Sequence, residues 1–390
     1  MLTSTLPTHV DIAIVGGGPV GALLALRLAQ AGHQALVLEA RRDTSADPRA
    51  LALSYASREA LTRVGLWDET ALAATAIAKV HVSQAGSLGR AELDAAELEL
   101  PALGYVVGYD RLAALALERL AASSARIALG SPVTAIRRLA RFAELAIGGE
   151  DRPRTLTCRL VVLADGGKLV GTLGDVVQTV KPYRQHAVLA TVTPVKPHQH
   201  IAYERFADDG PLALLPRGDD FTLVWTQTPE QAEARLALSD REFLDEVGAR
   251  FAGRVAGFSA VGARASFPLA LKTLDRVVGR RLALIGNAAQ TLHPVAGQGL
   301  NLGLRDAATL ADVLGAVPPA QVGEDATLTR YARLRRKDAG VVTAFTDSLI
   351  GIFDSPNPLL KHARSLALLG LDQAAPLRRG FAQRMVYGAR

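Results

Sequence analysis

A single cysteine, Cys158, occurs in 390 residues. One thiol excludes an internal disulfide and a Cys-based metal cluster. Its position in the apolar run Leu156 to Leu163 reads as a small buried filler, and no metal site is expected. No apolar run approaches the length of a membrane span. No charged segment followed by an apolar one opens the chain, so no signal peptide is expected. The protein is expected in the cytoplasm, at most peripheral on the inner face of a membrane. Aromatics make up only 5% and nowhere interleave with a basic run. The 44 Lys+Arg against 38 Asp+Glu therefore leave no footprint for nucleic acid. Internal repeats and low-complexity tracts are also missing.

What is present is an ordinary globular composition, 49% hydrophobic, long enough for one large α/β domain and a smaller one. Asp11 to Val15 reads as a buried strand, Val20 to Ala31 as an Ala/Leu-rich helix ended by Gly32, and Ala35 to Leu38 as the next strand. This β-α-β unit frames Gly16-Gly17-Gly18-Pro19-Val20-Gly21, a Gly-x-Gly-x-x-Gly loop. Gly16 permits the tight turn, Gly18 lets backbone approach a pyrophosphate, and Gly21 lets the helix pack on the strand. Glu39, ending the second strand, is placed to accept from ribose hydroxyls. Arg41 and Arg42 would suit a 2′-phosphate, but Glu39 would repel one, so the adenosine end of FAD fits better than NADP. The candidate contacts here are Gly16, Gly18, Pro19, Val20, Gly21, Glu39, Ala40 and Arg41.

The second informative stretch is Gly286 to Asp306, between a strand-like run, Leu282 to Ile285, and a helix-like one, Leu300 to Leu314. Its glycines let backbone approach a flat ligand, and a helix N-terminus offers N–H groups to negative charge. Asn287 would reach ribityl hydroxyls, Gly286 beside it is a further cofactor candidate, and Pro294 would wall an isoalloxazine ring. Gly297, Gln298, Gly299, Leu300 and Asn301 would face its N1 and O2. His293 reads either as loop packing or as an acid/base. Asp165-Gly166-Gly167 closes another buried strand, either as a plain type I turn or as a ligand contact through Asp165. Two ligand loops so far apart in the chain imply one long cofactor gripped at both ends, FAD.

Between them the pattern turns to β: Val188 to Val192, Ile201 to Phe206, Leu212 to Leu215 and Phe221 to Thr226, punctuated by Pro and Gly. Glu230 to Phe251 reads as one charged helical stretch. The expected architecture is a discontinuous Rossmann-like FAD-binding domain (1–75, 101–180, 263–330) in an α/β fold. A β-rich substrate domain (76–100, 181–262) is inserted in it, and a helical region (331–390) closes the chain.

Together the Gly16–Gly21 loop with Glu39, Arg49-Ala50-Leu51-Ala52-Leu53-Ser54, Ala164-Asp165-Gly166, Tyr203-Glu204-Arg205-Phe206, Gly210-Pro211-Leu212-Ala213-Leu214-Leu215-Pro216 and the 286–306 stretch carry a resemblance. The chain resembles the class A flavoprotein aromatic hydroxylases, within the ubiquinone-biosynthesis hydroxylase family and nearest its 2-polyprenyl-6-methoxyphenol hydroxylase branch. Coverage runs from about Val10 into the C-terminal helices. Many relatives have Asp where Asn287 stands, whereas the phenol-ring hydroxylase branch commonly has Asn. Many carry Ser and Arg after the Asp-Gly turn, where this chain has Lys168-Leu169-Val170. The resemblance implies a p-hydroxybenzoate hydroxylase-like fold. It further implies NAD(P)H as a transient co-substrate, O2 addition at flavin C4a, and transfer of an electrophilic oxygen from the hydroperoxide to a polyprenyl phenol. Most of this chemistry belongs to the flavin, with the protein supplying placement and water exclusion. No second nucleotide fingerprint is visible.

By the same resemblance Arg49 lies near the flavin and helps control its movement; the alternative is a solvated arginine. Arg111 is a cofactor candidate or an ion-pair partner of Asp110 or Glu118. Arg49, His293 and Pro294 are the catalytic candidates. Tyr203, Arg205, Leu215, Pro216 and Trp225 are the substrate-face candidates, each readable equally as sheet core or rim, Trp225 above all as core. From Lys361 to Arg390 six basic residues stand against one acid, Asp372, mixed with leucines. That tail reads as helices packed on the body or as a contact with an anionic membrane. Partners left open are other ubiquinone-biosynthesis proteins and a second copy of the chain. Competing readings are a hydroxylase of a small soluble aromatic and a flavin-bearing assembly subunit with little turnover. A flavin halogenase is disfavoured because Trp-x-Trp-x-Ile-Pro is absent.

Overall fold

The computed structural model describes residues 6–43, 47, 49–148, 154–251, 253–294, 297–353 and 358–388. Val295, Ala296, Ser355 and Arg390 lie outside these, as do the side chains of Leu359, Leu360 and Lys361. Three sheets organise the described residues. The first has eight strands and runs in the order Val278–Gly279, Leu282–Leu284, Arg154–Leu163, His9–Val15, Ala35–Leu38, Arg126–Ala128, with Val133–Arg138 and Ala143–Ile147 attached through Arg154–Leu163. Its centre is parallel: Val15 stands opposite both Leu163 and Leu38, and Leu163 opposite Leu284. Continuous apolar runs such as Ile12–Val15 and Leu160–Leu163 suit strands covered on both faces. Helices Pro19–Gln30 and Gln298–Gly315 bury their apolar stripes on one face. A second cluster, containing Cys158, fills the other. Burial pushes the Cys158 thiol up to about 12, as befits an inert filler.

That register sets the site. Four adjacent parallel strands end level, so the segments that follow them, Gly16–Gly18, Glu39–Arg41, Ala164–Gly166 and Ile285–Asn287, emerge side by side. Crevices at carboxyl ends of parallel strands are where such sheets bind ligands.

The second sheet also has eight strands: Phe258–Val261, Gln178–Pro194, Asp220–Gln227, Gly210–Arg217, Ile201–Ala207, Lys79–Gln84, Arg90–Asp94, with Ala265–Leu274 paired to Gln178–Pro194. Lys79–Gln84 joins by parallel pairing with Ile201–Ala207, which brings the 76–100 segment into the inserted sheet. Ala265–Leu274 belongs here rather than to the first sheet, so the division expected at 263 falls inside the second sheet. The helical stretch expected from 230 to 251 is two helices, Pro229–Ala237 and Asp240–Arg250. Ser239 interrupts it because its hydroxyl and Glu242 form a capping box that starts a new helix. A small third sheet, Ala50–Ser54, Gly104–Gly108 and Thr75–Ile77, bridges the two large ones.

The C-terminal region is helical: Asp325–Phe353, Pro358–Gln373 and Ala375–Tyr387. Its last helix buries Ala382 and Val386 against Leu93, Ala95 and Leu103. Arg378 pairs with Glu97 at 2.5 Å, and Asp372 accepts from the Glu92 N–H at 3.2 Å. These helices therefore pack on the body. Arg379 and Arg384 remain exposed, as do Leu366 and Leu377 at 68% and 66%. Among the described residues no helix is long and apolar enough to cross a membrane.

Candidate active site

One cavity of about 1050 Å³ runs from the carboxyl ends of the first sheet, under the second sheet, to the C-terminal helices. At its first end Gly16 has φ +106°, and a Cβ there would lie 2.5 Å from the Ala164 carbonyl. A Cβ on Gly21 would collide with the Gly16 carbonyl oxygen. Both positions need glycine, one for its left-handed turn and one for helix–strand contact. Helix Pro19–Gln30 begins at Gly18 with no side-chain cap, and helix Gln298–Gly315 begins at Gly297 (φ +59°) with none either. Ser54, Asp68, Thr228 and Ser239 cap their helices with side-chain oxygens, while helices Tyr109–Ala122 and Ala375–Tyr387 also begin without one. Two uncapped N-termini opening on one cavity leave first-turn N–H groups for negative charge at both ends of a ligand.

Glu39 stands beside the first of these. Its Oε2 accepts from the Gly17 N–H at 2.7 Å, and Oε1 accepts from the Arg41 N–H and Nε at 2.9 and 3.0 Å. Burial opposes its charge, but the Arg41 and Gly17 hydrogen bonds prevail and hold its pKa below the ordinary carboxylate value. An ionised, oriented acceptor with one lone pair to spare fits a ribose hydroxyl. The Gly cradle, this carboxylate and the two bare helix ends together fit a dinucleotide.

Of the cofactor candidates, Gly16, Gly18, Pro19, Val20, Glu39, Ala40, Arg41, Arg49, Asp165, Gly286, Asn287, Pro294, Gly297, Gln298, Gly299, Leu300 and Asn301 all line the cavity. Gly21 acts behind it, by close packing. Arg111 is not brought there: it is exposed and reaches the Ala71 carbonyl at 3.5 Å, because it projects outward at the start of helix Tyr109–Ala122. Asp165 accepts from its own loop, from the Gly167 N–H at 2.9 Å and the Leu169 N–H at 2.8 Å, so its carboxylate shapes the turn. Arg49 pairs with Asp47 at 2.6 Å and lies over the Tyr109 ring at 5.2 Å. His293 is 1% exposed, with the Tyr183 ring edge-on at 5.1 Å. Burial lowers its pKa to about 4, so its imidazole is neutral at pH 7.

Asn301 lines the cavity but spends its side chain on the scaffold. Its Oδ1 accepts from the Ser54 N–H at 2.8 Å and the Ser57 hydroxyl at 2.7 Å; its Nδ2 donates to the Ala52 and Gly297 carbonyls at 3.0 and 2.7 Å. It fastens the helix start at Gly297 to strand Ala50–Ser54. Asp306 does the same from deeper in that helix. It accepts from the Gly286 N–H at 3.2 Å, Gln290 Nε2 at 3.1 Å and Arg335 Nε at 2.7 Å. Burial opposes the Arg335 charge, yet the adjacent Asp306 carboxylate raises its pKa. Sequence reasoning did not single out Ser54, Ser57, Asp306 or Arg335 for these roles. Polar residues at buried helix spacing were the available signal.

The second sheet has two different faces. Ala202, Glu204 and Phe206, Pro211, Ala213 and Leu215, and Val224 and Thr226 line the cavity. The alternate residues Leu212, Leu214, Phe221, Leu223 and Trp225 form a core with Phe243, Val247 and Phe251 of the covering helices. Leu215 is thus on the cavity side. Trp225 is wholly buried on the other, with Arg235 and Arg250 over its ring at 4.9 and 5.3 Å. Tyr203 contributes to the wall, but its ring turns toward Phe221 and Phe251, 6.1 and 6.2 Å away. Arg205 reaches Ser83 Oγ at 3.2 Å on that same far side. Neither Arg205 nor Pro216 is among the described residues of the wall. Strand alternation places Trp225 and Arg205 opposite to the substrate-face expectation. Glu204, Phe206, Val224 and Thr226 line the cavity on the opposite face.

The FAD binding domain family matches residues 9–346, and the chain belongs to it: a flavoprotein monooxygenase that uses FAD. Ubiquinone hydroxylase UbiL of Rhodospirillum rubrum is 35% identical over 392 residues, 97% of this chain and 90% of that one. The 3-demethoxyubiquinol 3-hydroxylase of Escherichia coli is 32% identical over 383 residues, covering 95% and 96%. In fold, the p-nitrophenol 4-monooxygenase PnpA of Pseudomonas putida superposes with a TM-score of 0.79 at 20% identity, covering 98% of this chain and all of that one.

Proposed function

We propose that this protein hydroxylates the aromatic ring of a polyprenyl phenol in ubiquinone biosynthesis, using NAD(P)H and O2. One observation carries the reading. The cavity that begins in the dinucleotide cradle continues past an apolar wall of Val82, Leu93, Ala213, Leu368 and Phe381, the lining that an isoprenoid tail behind a ring would need. A small soluble aromatic would leave that extension unfilled. When bound, FAD supplies the reduction by NAD(P)H and the activation of O2.

The chain's own residues do the rest. The Gly16–Gly21 loop and Glu39 hold the adenosine end, while the start of helix Gln298–Gly315 directs N–H groups at the ring end, where negative charge gathers. Asn301 and Asp306 keep that helix start in place. Asn287 serves as a ribityl contact, and Arg49, freed from Asp47, as a mobile cation near the cofactor. Neutral His293 keeps that part of the wall uncharged at pH 7. The apolar wall excludes water that would intercept the reactive oxygen.

Such a substrate lives in lipid. Exposed Leu366 and Leu377, with Arg379 and Arg384, give the last two helices the chemistry of a shallow membrane contact. Removing everything after about Ser355 would also strip the cavity wall, so paired substitutions L366D and L377D are the cleaner test. They should reduce flotation with anionic liposomes and leave FAD content unchanged. The primary test is mass spectrometry of quinone intermediates in cells lacking this protein. A polyprenyl phenol missing one ring hydroxyl should accumulate; an unaltered profile would contradict the reading.

A further inference from the structure

We propose that Glu204 is the polar anchor of the substrate chamber, its carboxyl hydrogen-bonding the ring hydroxyl of the phenolic ligand. The proposal rests on the function proposed above and deepens it to one side chain.

Glu204 sits mid-strand in Ile201–Ala207 with its side chain on the cavity face. Across the sheet its row reads Val82, Glu204, Ala213, Val224, and all four line the cavity. Glu204 is part-buried on this wall, and any apolar side chain would continue the row at lower cost, since a carboxyl set among apolar neighbours without partners is unfavourable. Among the described residues no hydrogen-bond donor or cation attends it. Burial alone pushes its pKa up to about 8. The other acids of the wall are all engaged: Glu39 by Gly17 and Arg41, Asp47 by Arg49, Asp165 by its own loop. Glu204 is therefore a costly polar group that the fold does not use, facing an otherwise apolar part of the chamber. A mostly apolar ligand carrying one hydroxyl is its complement, for that hydroxyl would satisfy the carboxyl while the remainder fills the apolar wall.

The test compares binding of a short-chain 2-prenylphenol with that of its methyl ether, which has the same shape but no O–H. Titrations into the FAD-loaded protein are followed by the flavin absorbance shift. The native protein should prefer the phenol by about two- to tenfold, the range of one net hydrogen bond. E204L should bind both equally, and E204Q, which keeps a donor and an acceptor, should retain the preference. Retention of the full preference by E204L overturns the proposal while leaving the polyprenyl phenol reading intact. Should the native protein bind neither compound, that reading fails and the proposal with it. Should E204L not load FAD, infrared difference spectra of native protein and E204Q decide. A protonated carboxyl band missing in E204Q should shift on adding the phenol but not the ether, and an unmoved band overturns the proposal.

Discussion

Replacing Asn301 by alanine tests how the ring end of the cavity is built. The side chain is 2% exposed and makes four hydrogen bonds: it accepts from the Ser54 N–H and the Ser57 hydroxyl and donates to the Ala52 carbonyl and to the Gly297 carbonyl of its own helix cap. Its orientation follows from its partners: the Ser54 N–H needs an acceptor, and two carbonyls need a donor. In N301A the Ser54 N–H and the Ser57 hydroxyl lose their acceptor, and the Ala52 and Gly297 carbonyls lose a donor. At roughly 1 kcal/mol for each lost bond, and more for the buried N–H, the loss should total about 3–4 kcal/mol. N301D should fare no better, because its second oxygen would face the Ala52 and Gly297 carbonyls, acceptor against acceptor. Urea unfolding of the apoprotein measures the stability change, and FAD titration measures the loosening of the Gly297 end. A change below about 1 kcal/mol in N301A, well under the sum of these bonds, would refute the reasoning.

Three further outcomes are expected. G21A should prevent FAD uptake, since the added methyl collides with the Gly16 carbonyl oxygen rather than a movable side chain; visible absorbance of the purified variant reads this. Glu204 has a folded pKa of about 8 against 4.5 unfolded, so the folded state holds the proton more tightly. Its contribution to stability is complete below pH 4.5 and lost as pH rises toward 8. E204Q should flatten that slope and be the more stable of the two near pH 8; parallel melting profiles across pH would contradict this. W225F should lower stability by about 1–3 kcal/mol and leave KM for the phenol unchanged, because Trp225 lies on the helix side of the sheet; a KM shift without a stability loss would place it at the substrate.

Local chemistry made the cofactor end legible. A strand, three glycines, an apolar helix and a strand-ending acid are all short-range signals, and Gly16, Gly21 and Glu39 stand where those signals put them. The second sheet was legible as strands but not as faces. Ile201–Ala207 carries apolar and polar residues at both parities, so the sequence does not say whether Glu204 or Arg205 looks inward. Helices Pro229–Ala237 and Asp240–Arg250 decide it by covering the Arg205 side. Trp225 follows the same parity. Arg111 failed as a cofactor contact for a similar reason: its helix shows its buried stripe clearly, but which exposed face adjoins a ligand depends on distant chain. The role of the last two helices as cavity wall was also hidden, because their partners, Leu93 and Glu97, lie far back in the sequence.

The most direct test of the account is oxygen-isotope incorporation. Purified FAD-loaded protein is given NAD(P)H, a short-chain polyprenyl phenol and 18O2, and the product ring is analysed by mass spectrometry. The account predicts one 18O atom in a new ring hydroxyl. NAD(P)H consumption that rises with the phenol but yields only hydrogen peroxide and unlabelled phenol would contradict it.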